Sequence, residues 1–202
     1  MGLLGLAVFA TSVFQTVALF ADPQTRFSTL LYCVIVLVLM LLCHMLPIYI
    51  TADKTMEISF VPVVACVVTR SVALANVLFA LSTMLTLLQD SKTRRYYSPW
   101  VRAPLTELFN VSNVLVVNWI GGYLYKLIAV DANGSVFTWN VVLGAVAFSF
   151  VTIFGNLVFF ILYYKLSAQG KFFALLRDNI GGIIPNILAT VPLGLVIGYL
   201  LM

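Results

Sequence analysis

Asn110, Asn113, Asn118, Asn156 and Asn186 lie in or beside apolar stretches long enough to cross a bilayer, with Glu107 and Thr152 close to them in the chain. Hydrocarbon offers an amide no partner, so each must face another helix, a cavity or water. At about 100° per residue, Thr106, Glu107, Asn110, Asn113 and Asn118 fall within roughly 140° of one helix face. On the next helix Ser149, Thr152 and Asn156 fall within about 60°. On the last, Asn186 and Thr190 are one turn apart, just after Pro185. The simplest arrangement points the three polar faces at one another. Two readings fit it. Asn, Ser and Thr commonly join membrane helices at a gain of about 1 kcal/mol each. Alternatively Asn110, Asn113, Asn156, Asn186, Glu107 and Thr152 line a pocket that binds a small ligand, the neutral amides donating and accepting without charge.

Three further residues are costly if they lie deep. Arg70 and Glu57 are 13 positions apart, so on one continuous helix they would point about 140° away from each other. A direct pair therefore requires a break between them; otherwise Glu57 sits at the interface and Arg70 snorkels from a turn. His44 stands in an apolar segment three residues before Pro47. It reads as a hydrogen-bonded packing residue, because no second His or nearby carboxylate completes a metal set. Arg70, Glu57 and His44 are thus the candidates for a buried charge or switch.

The elements that would position these residues are membrane helices. The chain is 62% hydrophobic and 9% charged, with mean hydropathy +1.09, whereas a soluble domain of this size carries far more polar surface. Apolar segments run over 3–21, 27–50, 58–69, 71–89, 104–130, 137–164 and 183–202, several near the roughly 20 residues that span about 30 Å of hydrocarbon. The expected fold is all-α, a single polytopic transmembrane bundle over residues 1–202 with six to seven segments, one of them short or broken near Arg70. Pro62 favours an irregular or interfacial entry to that short segment. The first segment lacks a basic flank and is long for a signal core, so it reads as the first membrane helix.

The loop Asp90–Pro104 places Lys92, Arg94, Arg95 and Arg102 beside Tyr96, Tyr97 and Trp100, the pattern of a cytoplasmic membrane boundary. Lys171–Asp178 has the character of a short amphipathic surface helix, and residues 131–137 that of a polar turn. With seven spans the even-numbered loops hold eight Lys and Arg and the odd ones three, which puts the amino terminus in the cytoplasm and the carboxyl terminus outside. With 58–89 as one span, both termini fall outside.

Several functions are excluded. The net charge of +4 comes from loop residues and forms no nucleic-acid surface. Cys33, Cys43 and Cys66 match no zinc or redox spacing and read as small buried hydrophobes. Gly121-Gly122 and Gly181-Gly182 precede no Lys-Ser/Thr, so they suit close helix approach rather than a phosphate loop. Asn133-Gly134-Ser135 reads as turn chemistry. No Ser or Cys has a positioned base and no carboxylate pair shares a helix face, so the chain is expected to be non-enzymatic and to hold no metal or cofactor.

Met45-Leu46-Pro47, Glu57-Ile58-Ser59-Phe60, Ser98-Pro99-Trp100-Val101-Arg102 with Leu108-Phe109-Asn110, Phe154-Gly155-Asn156, and Arg177-Asp178-Asn179 with Ile184-Pro185-Asn186 form a recognisable series. The series resembles the membrane region that precedes HD-GYP or GGDEF domains in bacterial cyclic-dinucleotide signalling proteins, over roughly residues 40–202. The resemblance implies that Asn110, Asn156 and Asn186 share a polar core. It also implies a bacterial cytoplasmic membrane and a sensor or anchor that signals to an output domain. His44 stands where that pattern has an acidic residue, and Arg70 where it has a glycine-proline type turn. The chain stops at Met202 with no output domain, as expected for a membrane domain separated from its output or for a stand-alone relative with a partner.

The competing reading is a substrate-binding subunit of a vitamin or metal uptake system, similar in size and helix count to the S components of energy-coupling-factor transporters. Ala7 and Thr11 alone fit the small-residue spacing by which such subunits dock a coupling partner. A third reading is a scaffold whose amides knit the bundle. The expected partners are the lipid bilayer, a signalling output domain or coupling subunit, a small-molecule ligand and a second copy in a homodimer, with no nucleic acid.

Overall fold

Inside hydrocarbon every backbone N–H and C=O must be paired within the protein, and the chain meets that demand almost entirely with helices. The computed structural model describes residues 1–45, 48–51, 54–56, 58–89, 96–130, 137–166, 181 and 183–202. Its helices are α1 (Gly2–Leu19), α2 (Arg26–Met45), α3 (Phe60–Thr69), α4 (Val72–Leu85), α5 (Pro99–Arg102), α6 (Pro104–Ile128), α7 (Trp139–Leu166) and α8 (Ile183–Leu200). Glu57, Pro47, the basic positions 92–95, the turn at 131–136 and the expected surface helix Lys171–Asp178 lie outside the described residues.

The polarity of α1 is inverted relative to a helix in water. It buries Gly5, Ser12 and Thr16, while Leu3 and Phe14 are 87% and 80% exposed. Lipid is the solvent that makes such a surface stable. Among the described residues, α1, α2, α7 and α8 are long and apolar enough to cross a membrane, whereas α3 and α4 are apolar but shorter. The fold is all-α apart from two ribbons. The helix expected through residue 50 stops at Met45, and β1 (Ile48–Thr51) pairs antiparallel with β2 (Lys54–Met56). Likewise α4 ends at Leu85, short of the expected residue 89, and β3 (Leu88–Gln89) pairs with β4 (Tyr96–Tyr97).

Helix directions follow from side-chain neighbours. Trp119 Nε1 on α6 donates to Ser12 Oγ on α1 at 3.1 Å, and the close approach of Gly5 to Ser112 lies one end further along, so α1 and α6 run parallel. α7 runs antiparallel to α6, since Asn156 bonds Asn113 and the Tyr163 ring lies tilted against that of Phe109, centroids 4.6 Å apart. α8 runs parallel to α3, with Gly194 against Val64 and Gly198 against Thr69. Met1 and Met202 therefore lie at opposite ends of the bundle, here the amino-terminal and carboxyl-terminal ends.

α3 and α4 form a hairpin that starts at the amino-terminal end, turns at Arg70-Ser71 and returns. Every residue from Phe60 to Val67 is buried, so α3 is an interior helix, not the interfacial entry expected from Pro62. Pro62 falls in its first turn, where the missing N–H breaks no intrahelical bond. Ser71 caps α4 by accepting from Leu74 N at 3.1 Å. At the turn Thr69 Oγ1 donates to Ala65 O at 2.8 Å, which leaves Tyr32 as the donor in the 2.6 Å Tyr32–Thr69 bond. Arg70 is exposed, with its guanidinium 5.1 Å from the Tyr32 ring centroid.

Two glycines set how closely α6 meets its neighbours. A β-carbon at Gly5 would collide with Ser112, and one at Gly122 with Val72. Gly5→Val and Gly122→Val are therefore expected to destabilise the purified protein by about 1–3 kcal/mol each, read as a lowered unfolding temperature in detergent. Gly181→Ala, with open space around it, should match the parent; a Gly122→Val protein as stable as the parent would disprove the close α4–α6 approach.

Candidate polar cavity at the amino-terminal end

The first turns of α6 hold the carboxylate of the candidate site. Pro104 opens the helix without sacrificing an N–H bond, and Glu107 then sits near the positive end of the helix dipole. Asn110, one turn on, hydrogen-bonds the Glu107 carboxylate. Both line a cavity of about 280 Å³, together with His44 from α2, Phe60 from α3, Phe79 and Thr83 from α4, and Asn156 and Phe160 from α7. Val111 and Val114 of α6 form its inner wall. Five helices converge there.

The aromatic part of the wall is ordered. The Phe60 and Phe79 rings are nearly parallel, 17° apart with centroids at 6.3 Å, and His44 lies 5.5 Å from Phe79. Trp100 of α5 ties the rim to α4 by donating to Thr83 O at 3.2 Å. Among the lining residues Glu107 is the carboxylate, His44 the imidazole, and none is Lys or Arg.

Behind the cavity the amides bond helix to helix. Asn113, 1% exposed, donates Nδ2 to Asn156 Oδ1 at 2.5 Å and to Asn156 O at 3.3 Å. Asn118 donates to Asn76 Oδ1 at 3.0 Å, and Asn76 donates to Leu115 O at 3.3 Å. The Asn113 and Asn118 Oδ1 atoms, with Ser149 Oγ and Thr152 Oγ1, are buried without a hydrogen-bond partner.

The cavity thus brings together Glu107, Asn110, Asn156 and His44. Asn113 stands directly behind Asn156. Thr152 is fully buried on α7, facing Gly121, and is not part of the wall. Asn186 is on α8, with its Oδ1 buried and unbonded, and does not line the cavity. Arg70 is at the far turn, and Glu57 is not described. The expectation of one shared polar face needs correction at Asn118. Five residues separate it from Asn113, which turns it about 140° on the helix, so it faces α4 while Asn113 faces α7. Asn76 and the phenylalanines were missed. An amide inside the apolar run 71–89 was the available signal for Asn76; the rings carried none, since phenylalanine is ordinary in lipid-facing sequence.

A second cavity, about 180 Å³, lies at the other end of α6, lined by Gln15, Ser71, Val72, Trp119, Gly122, Tyr123 and Lys126 with Ala73. Among the described residues no group of His, Cys, Asp and Glu could hold a metal ion.

The geometry is that of an all-α bundle, four of whose described helices are long and apolar enough to cross a membrane, with a partly polar cavity at one end. No protein-family model matches the chain, and neither does any curated protein or solved structure.

Because Asn113 donates twice to Asn156, once to its backbone, Asn156→Ala leaves one bond intact and Asn113→Ala leaves none. Asn113→Ala should therefore lower unfolding stability more. The side-chain coupling in a double-mutant cycle should be about 0.6–1.7 kcal/mol. A coupling of zero would mean the two amides do not meet.

Proposed function

We propose that this protein is a multi-pass membrane module, non-catalytic, that binds a small organic cation in the cavity at its amino-terminal end. One observation carries the reading: Glu107, Asn110, Asn156 and His44 come from three separated stretches of sequence and line one cavity with Phe60, Phe79 and Phe160. A carboxylate supplies the counter-charge, amides accept N–H or O–H bonds, and aromatic rings hold cations by their quadrupoles. At about 30 Å³ per water-sized group, the space suits a ligand of roughly nine non-hydrogen atoms. Occupancy would tie five helices together, a property that serves a sensor coupled to an output partner or a substrate-capture subunit equally. The resemblance to sensor regions of cyclic-dinucleotide signalling proteins supports the first and a bacterial cytoplasmic membrane.

In this reading seven segments cross the membrane, α6 and both arms of the α3–α4 hairpin included. The linkers that follow in sequence from helix ends on the amino-terminal side carry eight of the 11 Lys and Arg, so that side faces the cytoplasm.

Choline and its uncharged carbon isostere 3,3-dimethyl-1-butanol test the ligand class in purified protein. Choline should bind, the isostere at least about tenfold more weakly, and Glu107→Gln should reduce choline affinity by a similar factor, about 1.4 kcal/mol. Asn110→Ala and Asn156→Ala should lower ligand retention more than thermal stability. Equal binding of charged and neutral probes, or parallel loss of binding and stability in both variants, would sink the proposal.

A further inference from the structure

The two cavities occupy opposite ends of the seam between α4 and α6. On α4, Val72, Asn76, Phe79 and Thr83 repeat at four, three and four residues and form one stripe. Phe79 and Thr83 belong to the first cavity and Val72 to the second. On α6 the first cavity ends at Val114 and the second begins at Trp119, about 7.5 Å further along the axis. On α4 the gap from Phe79 to Ala73 is about 9 Å. The first cavity is bounded on the α7 edge of the seam by Asn156 and Phe160, and the second on the α1 edge by Gln15.

An amide pair spans the gap between the two helices. Asn76 and Asn118 are both 0% exposed and hydrogen-bond to each other at 3.0 Å, yet Asn118 Oδ1 is buried without a partner. The pair joins α4 to α6 at a cost in free energy from its half-satisfied amide, and the same groups can exchange hydrogen bonds with a solute crossing the layer. Neutral amides do this without trapping a charge.

We infer that the α4–α6 seam is a translocation pathway for small organic ammonium or guanidinium cations, with the two cavities as vestibules and the Asn76–Asn118 pair as the constriction between them. The solute class rests on the binding reading of the first cavity; the route does not. Glu107 receives the cation at one end. Lys126, exposed at the other, stands on the outer rim of the second vestibule, where it disfavours re-entry.

Thiol accessibility tests the route without any ligand. In a background with Cys33, Cys43 and Cys66 replaced by Ala, Val114→Cys and Ser71→Cys each place one near-isosteric thiol in one vestibule. A membrane-impermeant cationic methanethiosulfonate is then applied separately to each face of oriented vesicles. Val114→Cys should react only from the amino-terminal side and Ser71→Cys only from the other. In proteoliposomes, radiolabelled guanidinium uptake should exceed that of protein-free vesicles, rise several-fold with Asn118→Ala and vanish with Asn118→Leu. Reaction of both thiols from one side, or failure of either to react from any side, would overturn the route even if Asn118 variants fold poorly. Choline binding with no guanidinium uptake would overturn translocation and leave the binding cavity standing.

Discussion

An amide in hydrocarbon can bond only to protein, and this constraint orients the helices around α6. Asn113 reaches Asn156 on α7, Asn118 reaches Asn76 on α4, and Asn76 returns to the Leu115 carbonyl. Each bond is worth about 1 kcal/mol, but leaving the same group unbonded costs more than making the bond gains. The amides therefore act by excluding alternatives. A rotation of α4 by one residue would strand Asn76, so the register of the seam is specified against its neighbours more strongly than its net bond energy suggests. Close packing then becomes possible at the positions that need it, Gly5 against Ser112 and Gly122 against Val72.

Much of this was legible in the residues. The helical bundle follows from segment length and the scarcity of charge. The break at Arg70 follows from a cation interrupting an apolar run, and Ser71 supplies the cap that starts the next helix. The two ribbons were not legible, because Ile48-Tyr49-Ile50 continues the hydropathy of α2 and nothing local tells a membrane helix from an apolar strand. Membership of the cavity was only partly legible. Periodicity places Glu107 and Asn110 on one face but cannot say what stands opposite. It assigned Asn118 to the same face as Asn113, although the 140° between them is enough to address different helices. Asn186 shared their chemistry and still lies elsewhere, since α8 packs against α3 through Gly194 and Gly198. Rotation about a helix axis is set by the neighbour, and a single helix does not contain it.

The composition of the first cavity argues for a charged occupant. Glu107 gains at most about 1 kcal/mol from the α6 dipole, and Asn110 adds a hydrogen bond. Those contacts account for a carboxylate at a helix start, but not for the ring-rich wall around it. Aromatic rings carry negative faces and positive edges, and a cation is the ligand that a carboxylate and a ring face both attract. The amides at Asn110 and Asn156 contribute acceptors whose strength does not depend on charge. Against a scaffold, in which these side chains serve only to join helices, the decisive feature is that they surround space. Asn113 joins helices through a filled contact, whereas Glu107, Asn110 and Asn156 border about 280 Å³ of cavity. Polar groups arranged around a volume, at the point where five helices meet, are more than helix pairing alone requires, and that excess favours the proposed binding site over a scaffold.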